Sequence, residues 1–146
     1  RELLMDPLLL PGFNDSGAHL TNMAFYDGNL RALKLAAQGG EKDVAYMVKR
    51  LTRDAAEVFR VQGGRIEVGD QADLILVDPD ALAQLDHHGT VKRIYRQEFQ
   101  HDQLVNRTDG VVPLVMIRGL PAWRGKAFDS ALGSTKMGRV LDTVLA

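Results

Sequence analysis

The sequence predicts an α/β protein in two parts, a helical part that opens on a buried strand and a β-rich part after it, with the change near residues 62–64. Three observations predict this. An apolar run, Leu8-Leu9-Leu10, stops at Pro11-Gly12 as a strand buried on both faces would. Val44, Met47, Val48, Leu51, Ala55, Val58 and Phe59 then recur at helical spacing. Beyond Gly63-Gly64 the period becomes strand-like, with a continuous β-rich run over residues 72–77.

Residues 3–10 are mostly apolar and are predicted as one strand, with Pro7 interrupting its hydrogen bonding near the start. Leu30, Leu33 and Ala37 predict a helix over residues 29–38, which Gly39-Gly40 stops. The next helix opens with Glu41 and Asp43, acids suited to the positive end of the helix dipole. The Thr52 hydroxyl can cap a further helix, so a break is expected near Leu51 and an end near Arg60. Residues 65–67 and 72–77 are predicted strands about a turn at Val68-Gly69-Asp70-Gln71, and Asp78-Pro79 ends the second. Another strand is expected over residues 111–118, with Gly119 allowing the chain to reverse into residues 121–124. Residues 80–110 are polar and mixed and read as a long loop with a short helix.

At 146 residues, 45% hydrophobic and 25% charged, the composition is that of an ordinary soluble domain. A formal charge of −1 with dispersed charges gives no reason to expect nucleic acid or an anionic membrane as partner. Without cysteine there is neither a disulfide framework nor a thiolate zinc site. No apolar run approaches the ~20 residues of a membrane span, and the first residues lack the organisation of a signal peptide. A cytoplasmic protein is expected.

Gly12-Phe13-Asn14-Asp15-Ser16-Gly17-Ala18-His19 places the Asp15 carboxylate just past the expected first strand, the end at which an α/β barrel keeps its chemistry. On local grounds alone an Asp-Ser-Gly after Pro-Gly is a turn. Adjacent histidines diverge, and His87-His88 has no third ligand three or four residues away, so both are expected as solvated surface residues. Gly63-Gly64-Arg65 follows no strand and precedes no Lys-Ser or Lys-Thr, which excludes a phosphate-binding loop.

The Asn14-to-His19 motif resembles the last barrel strand and loop of the metal-dependent amidohydrolase superfamily, most closely the N-acyl-D-amino-acid deacylase (D-aminoacylase-like) branch, where Ser-Asp-Ala-Gly-Ala-His is common. The likeness continues in order through Asn22-Met23-Ala24-Phe25-Tyr26, Leu51-Thr52-Arg53-Asp54-Ala55-Ala56-Glu57, Gly64-Arg65-Ile66-Glu67-Val68-Gly69-Asp70-Gln71-Ala72-Asp73-Leu74, Val115-Met116-Ile117-Arg118-Gly119 and Gly138-Arg139-Val140-Leu141. Residues 80–110 carry none of it.

The resemblance implies that residues 1–62 are the end of a (β/α)₈ barrel, namely its last strand, catalytic loop and closing helices, and that residues 63–146 are strands of the accompanying small β-sandwich. A whole barrel takes about 250 residues, so the chain is expected to be the C-terminal portion of a longer enzyme. That enzyme would hydrolyse N-acyl-D-amino acids, with one or two zinc ions lowering the pKa of the attacking water. Asp15 would be the catalytic acid–base and also a metal ligand. Asn14, Ser16 and His19 would serve the substrate loop or the surroundings of the metal.

The other metal ligands would belong to the missing N-terminal barrel segment, so the isolated chain is expected to bind no zinc and to be inactive. A homo-oligomer is expected to cover the face of Val44, Met47, Val48 and Leu51. Two other readings stand beside this one. The first is a cyclic-amide hydrolase of the dihydropyrimidinase or dihydroorotase kind, against which Asn22-Met23-Ala24-Phe25-Tyr26 weighs. The second is a non-catalytic fragment or subunit packed against a metal-bearing partner.

Overall fold

The computed structural model describes residues 1–12, 21–106 and 110–142, and these form a mixed α/β structure with two small sheets beside a group of helices. Residues 3–10 do not form the expected strand. Glu2–Met5 coil into one helical turn, α1, and the chain then turns at Asp6, whose Oδ1 accepts the Leu8 amide at 2.9 Å. Leu8 is 90% exposed. The physical reason is that a strand exists only through its ladder, and no described strand lies beside this segment. Local preference then decides, with Glu, Leu and Met favouring helix and Pro7 barring its continuation.

β1 (Asn22–Met23) leads through a 3₁₀ turn (Ala24–Asp27) into α2 (Gly28–Ala37). After Gly39-Gly40, as expected, α3 (Glu41–Lys49) begins with its acidic first turn. The expected break near Leu51 is instead a π-helical turn, Arg50–Asp54, that carries the helix into α4 (Ala55–Phe59). Thr52 is not a cap. Its hydroxyl donates back to the Val48 carbonyl at 2.7 Å, a bond available inside a helix that competes with capping. Arg50 is buried in this turn, with its Nη1 donating to the Tyr46 hydroxyl at 2.9 Å and its guanidinium 5.3 Å from the Tyr46 ring centre.

Residues 65–67 are loop rather than strand. Ile66 is 86% exposed, and Arg65 pairs with Asp70 at 3.2 Å. Gly64 holds this loop against the helix. Its φ is +73°, and an added Cβ would lie 2.7 Å from the Thr52 carbonyl, so only glycine allows the approach.

β2 (Leu74–Leu76), β5 (Leu114–Ile117), β6 (Leu120–Arg124) and β7 (Ala127–Phe128) form a four-stranded antiparallel sheet in that order. The reversal expected at Gly119 is a two-residue turn, Arg118-Gly119, with φ of +51° and +79°. Between β2 and β5 lies α5 (Pro79–Gln84), capped by Asp78 Oδ1, which accepts the amides of Asp80 and Ala81.

The expected loop over residues 80–110 contains that short helix but is otherwise a hairpin, β3 (Val91–Arg96) with β4 (His101–Asn106). Its alternation is masked in the sequence by charged residues on the solvent face, while Gln103 and Val105 of β4 are buried. β1 pairs in parallel with β4, giving a three-stranded sheet in the order β1-β4-β3.

The core joins the two parts of the sequence. Ala32, Leu33 and Ala36 of α2 and Met47 of α3 pack with Leu82, Leu85 and Val111. Met47 is wholly buried there, so the face assigned to a homo-oligomer is covered largely from within the chain, and only Val48 on it is exposed. No helix among the described residues is long and apolar enough to cross a membrane.

Candidate functional site

Asn14, Asp15, Ser16 and His19 lie outside the described residues. The described chain resumes at Thr21. The Thr21 carbonyl accepts the Leu104 amide at 2.8 Å, and Asn22 and Met23 then pair with Leu104 and Val105. Asn22 spends its side chain locally, its Oδ1 accepting the Ala24 amide at 3.1 Å to start the 3₁₀ turn.

That turn delivers Asp27 into a nearly buried polar group. Asp27 Oδ2 accepts His87 Nδ1 at 2.5 Å and Asn106 Nδ2 at 2.8 Å. Asn106 Nδ2 also reaches the His87 carbonyl at 3.1 Å, and its Oδ1 takes the Thr90 hydroxyl. The side chains of Asp27 and His87 are only 10% and 13% exposed, and Asp27 Oδ1 is buried with no partner among the described residues.

His87 is therefore not the solvated histidine expected from sequence. The cause is the Asx turn at Asp86, whose Oδ1 accepts the His88 amide at 3.0 Å while Thr90 bonds the Asp86 carbonyl. This turn sends His87 inward and leaves His88 exposed. The backbone amides of Gly89 and then His88 hold the Asp86 carboxyl below its ordinary value, against an opposing desolvation effect. His101 is partly exposed, its ring stacked 6.0 Å from Phe99 and its Nδ1 donating to the Asp102 carbonyl at 2.9 Å.

A carboxylate on Nδ1 fixes a histidine's orientation and favours its Nε2 as the functional nitrogen. The pairing of residues 27 and 87 crosses 60 positions of sequence. The only local hint was Asp86 two positions before an amide it could accept. Among the described residues no group of three or more histidines, cysteines or carboxylates could hold a metal ion.

Comparison with known proteins gives relatives without an assigned activity. Uncharacterised proteins of Mycobacterium bovis and of two strains of Mycobacterium tuberculosis are 31% identical over 159 aligned residues, which cover 96% of this chain and 24% of each relative. The chain thus spans about a quarter of the length of the curated relatives it matches. No family model matches it, and no solved structure does.

Proposed function

We propose that this chain is the C-terminal portion of a metal-dependent amidohydrolase that cleaves N-acyl-D-amino acids into a carboxylate and a D-amino acid, with Asp15 as its acid–base. The observation that carries the reading is the collinear order of motifs, from Asn14-Asp15-Ser16-Gly17-Ala18-His19 to Gly138-Arg139-Val140-Leu141. The exposed Leu8, Leu9 and Leu10 support it, as does the cleft of about 570 Å³ lined by Leu4, Leu10, Ala32, Leu51, Ala55 and Phe59. Both are the apolar surface a partial barrel would turn toward its missing strands.

In this reading Asp15 takes a proton from the attacking water and returns it to the leaving amine. No group among the described residues fits a zinc site, so in this reading Asp15 would be one ligand and the others would come from elsewhere in the longer protein, with no step of this chain routed through the metal. The β1–β4 pairing and the Asp27–His87–Asn106 group would fasten the far end of the Asp15 loop.

The test is Asp15→Asn in the full-length polypeptide, assayed with N-acetyl-D- and L-amino acids and with dihydropyrimidines. General acid–base help is worth about 10²–10⁴ in rate, and kcat on the D-substrate should fall by at least that range with metal content unchanged. Retention of more than about a tenth of kcat, or preference for the cyclic amide, refutes the assignment.

A further inference from the structure

The four-stranded sheet carries an apolar row whose two ends its own chain leaves uncovered. Ile75 of β2 lies opposite Val115 of β5, Val115 opposite Trp123 of β6, and Trp123 opposite Phe128 of β7. Directly opposed residues share a face, so the row crosses the whole sheet, about 14 Å at the usual strand spacing, without a charged side chain. None of the four belongs to the core around Met47. Ile75 and Phe128, at the two ends, are 59% and 71% exposed, while Val115 and Trp123 between them are half-buried.

The face has a fixed shape. The Trp123 indole is held by its Nε1, which donates to the Val112 carbonyl at 3.0 Å, and the Phe128 ring meets it edge-on with centroids 5.2 Å apart. Beside them lies a shallow hollow of about 390 Å³ whose lining, Ile117 and Leu132 included, is wholly apolar. A sheet with such a face is stabilised by a second layer set against it.

A second copy of the chain supplies that layer. Under a two-fold axis through the middle of the row, Phe128 of each copy is set over Ile75 of the other, so the two most exposed members cover one another and Val115 and Trp123 meet at the centre. Sheets stacked in this way lie about 10 Å apart with their side chains interdigitated, and an uncharged row does not repel its own kind. The size also fits. With roughly 150–250 Å² for a large side chain, the exposed parts of the row with Ile117 and Leu132 come to about 400–500 Å² per copy. A pair would bury about 800–1,000 Å², the range of weak, reversible association rather than of an obligate dimer.

We infer that this face joins two copies of the chain into a weak two-fold dimer, sheet on sheet, independently of the proposed activity. Sedimentation velocity of the 146-residue chain from about 5 μM to 1 mM should show a monomer–dimer equilibrium with half-association on the order of 100 μM. Trp123 is the sole tryptophan of the sequence, and its emission should move to shorter wavelength over the same range as water leaves the centre of the row.

Phe128→Glu and Ile75→Lys should each keep the chain monomeric at every concentration with little change in Tm, because both positions are exposed. Mixed together, the two variants should associate again, since in the mixed pair the introduced carboxylate faces the introduced ammonium and the other end keeps Phe128 over Ile75. Phe59→Glu, in the cleft beside the helices, should leave the equilibrium as it was. A monomer at the highest concentration, growth beyond the dimer, an unchanged equilibrium in Phe128→Glu, its loss in Phe59→Glu, or a mixture that stays monomeric would each overturn the proposal.

Discussion

Replacing His87 with alanine removes the stronger of the two donors that Asp27 Oδ2 accepts and leaves Asn106 Nδ2 at 2.8 Å as the other. The carboxylate is nine-tenths buried and its Oδ1 already lacks a partner among the described residues, so water cannot readily replace the lost bond. A hydrogen bond to a charged group contributes about 1.5–3 kcal/mol. Breaking a fully buried pair costs roughly 3–5 kcal/mol, an upper bound for a pair that keeps some exposure. The expected loss is therefore about 2–3 kcal/mol, a fall in Tm of roughly 5–10 °C for a domain of this size.

Urea unfolding followed by far-UV circular dichroism would measure it, with His88→Ala as the internal control. His88 is the exposed neighbour on the same turn, and its replacement should stay within about 0.5 kcal/mol. A cycle with Asp27→Asn should return a coupling above ~0.5 kcal/mol, as expected for residues in direct contact. If His87→Ala and His88→Ala cost the same, the inward pairing is wrong and both histidines are surface residues.

Met47→Ala should destabilise by about 2–5 kcal/mol in the same assay, since the side chain is wholly buried between α2 and α5. Gly64→Ala should cost at least about 1–2 kcal/mol from its left-handed backbone alone, with more from contact against the Thr52 carbonyl; a neutral result would show that the loop is not seated there. The Asp129 carboxyl is held below its ordinary 3.8 by the Ala131 amide first and then by the Arg124 side chain, so its ¹³C titration midpoint should lie lower still. A depressed folded pKa stabilises above the unfolded value and is lost as pH falls through the folded one. Asp129→Asn should therefore show a smaller loss of Tm on acidification below about pH 4 than the wild type does.

Some elements were legible from the chain alone because their signals are local. Helix on either side of Leu51 was readable from the apolar period, its start from Glu41 and Asp43, and the stop of α2 from Gly39-Gly40. The continuation of the helix through Arg50–Asp54 was not. The hairpin at Arg118-Gly119 and the strand inside residues 72–77 were readable for the same reason, since β-rich runs and turn residues act over a few positions. Thr52 shows the limit of such signals. Its hydroxyl can bond forward as a cap or back to Val48, and the π-helical continuation decided for the second.

Only the tertiary structure decided whatever depends on distant partners. Leu8-Leu9-Leu10 is as apolar as a buried strand, yet without neighbouring strands its backbone has no ladder and its side chains face outward. The β3–β4 hairpin carries too many charges to be read as strands, and it forms because Gln103 and Val105 can be buried beside β1. Met47 seals against Leu82, Leu85 and Val111, residues that the pattern of its own helix cannot anticipate. Asp27 meets His87 across a separation of 60 positions. A sequence displays periodicity along one dimension, whereas charge pairing and burial are settled by which side chains the folded chain brings within a few ångströms of one another.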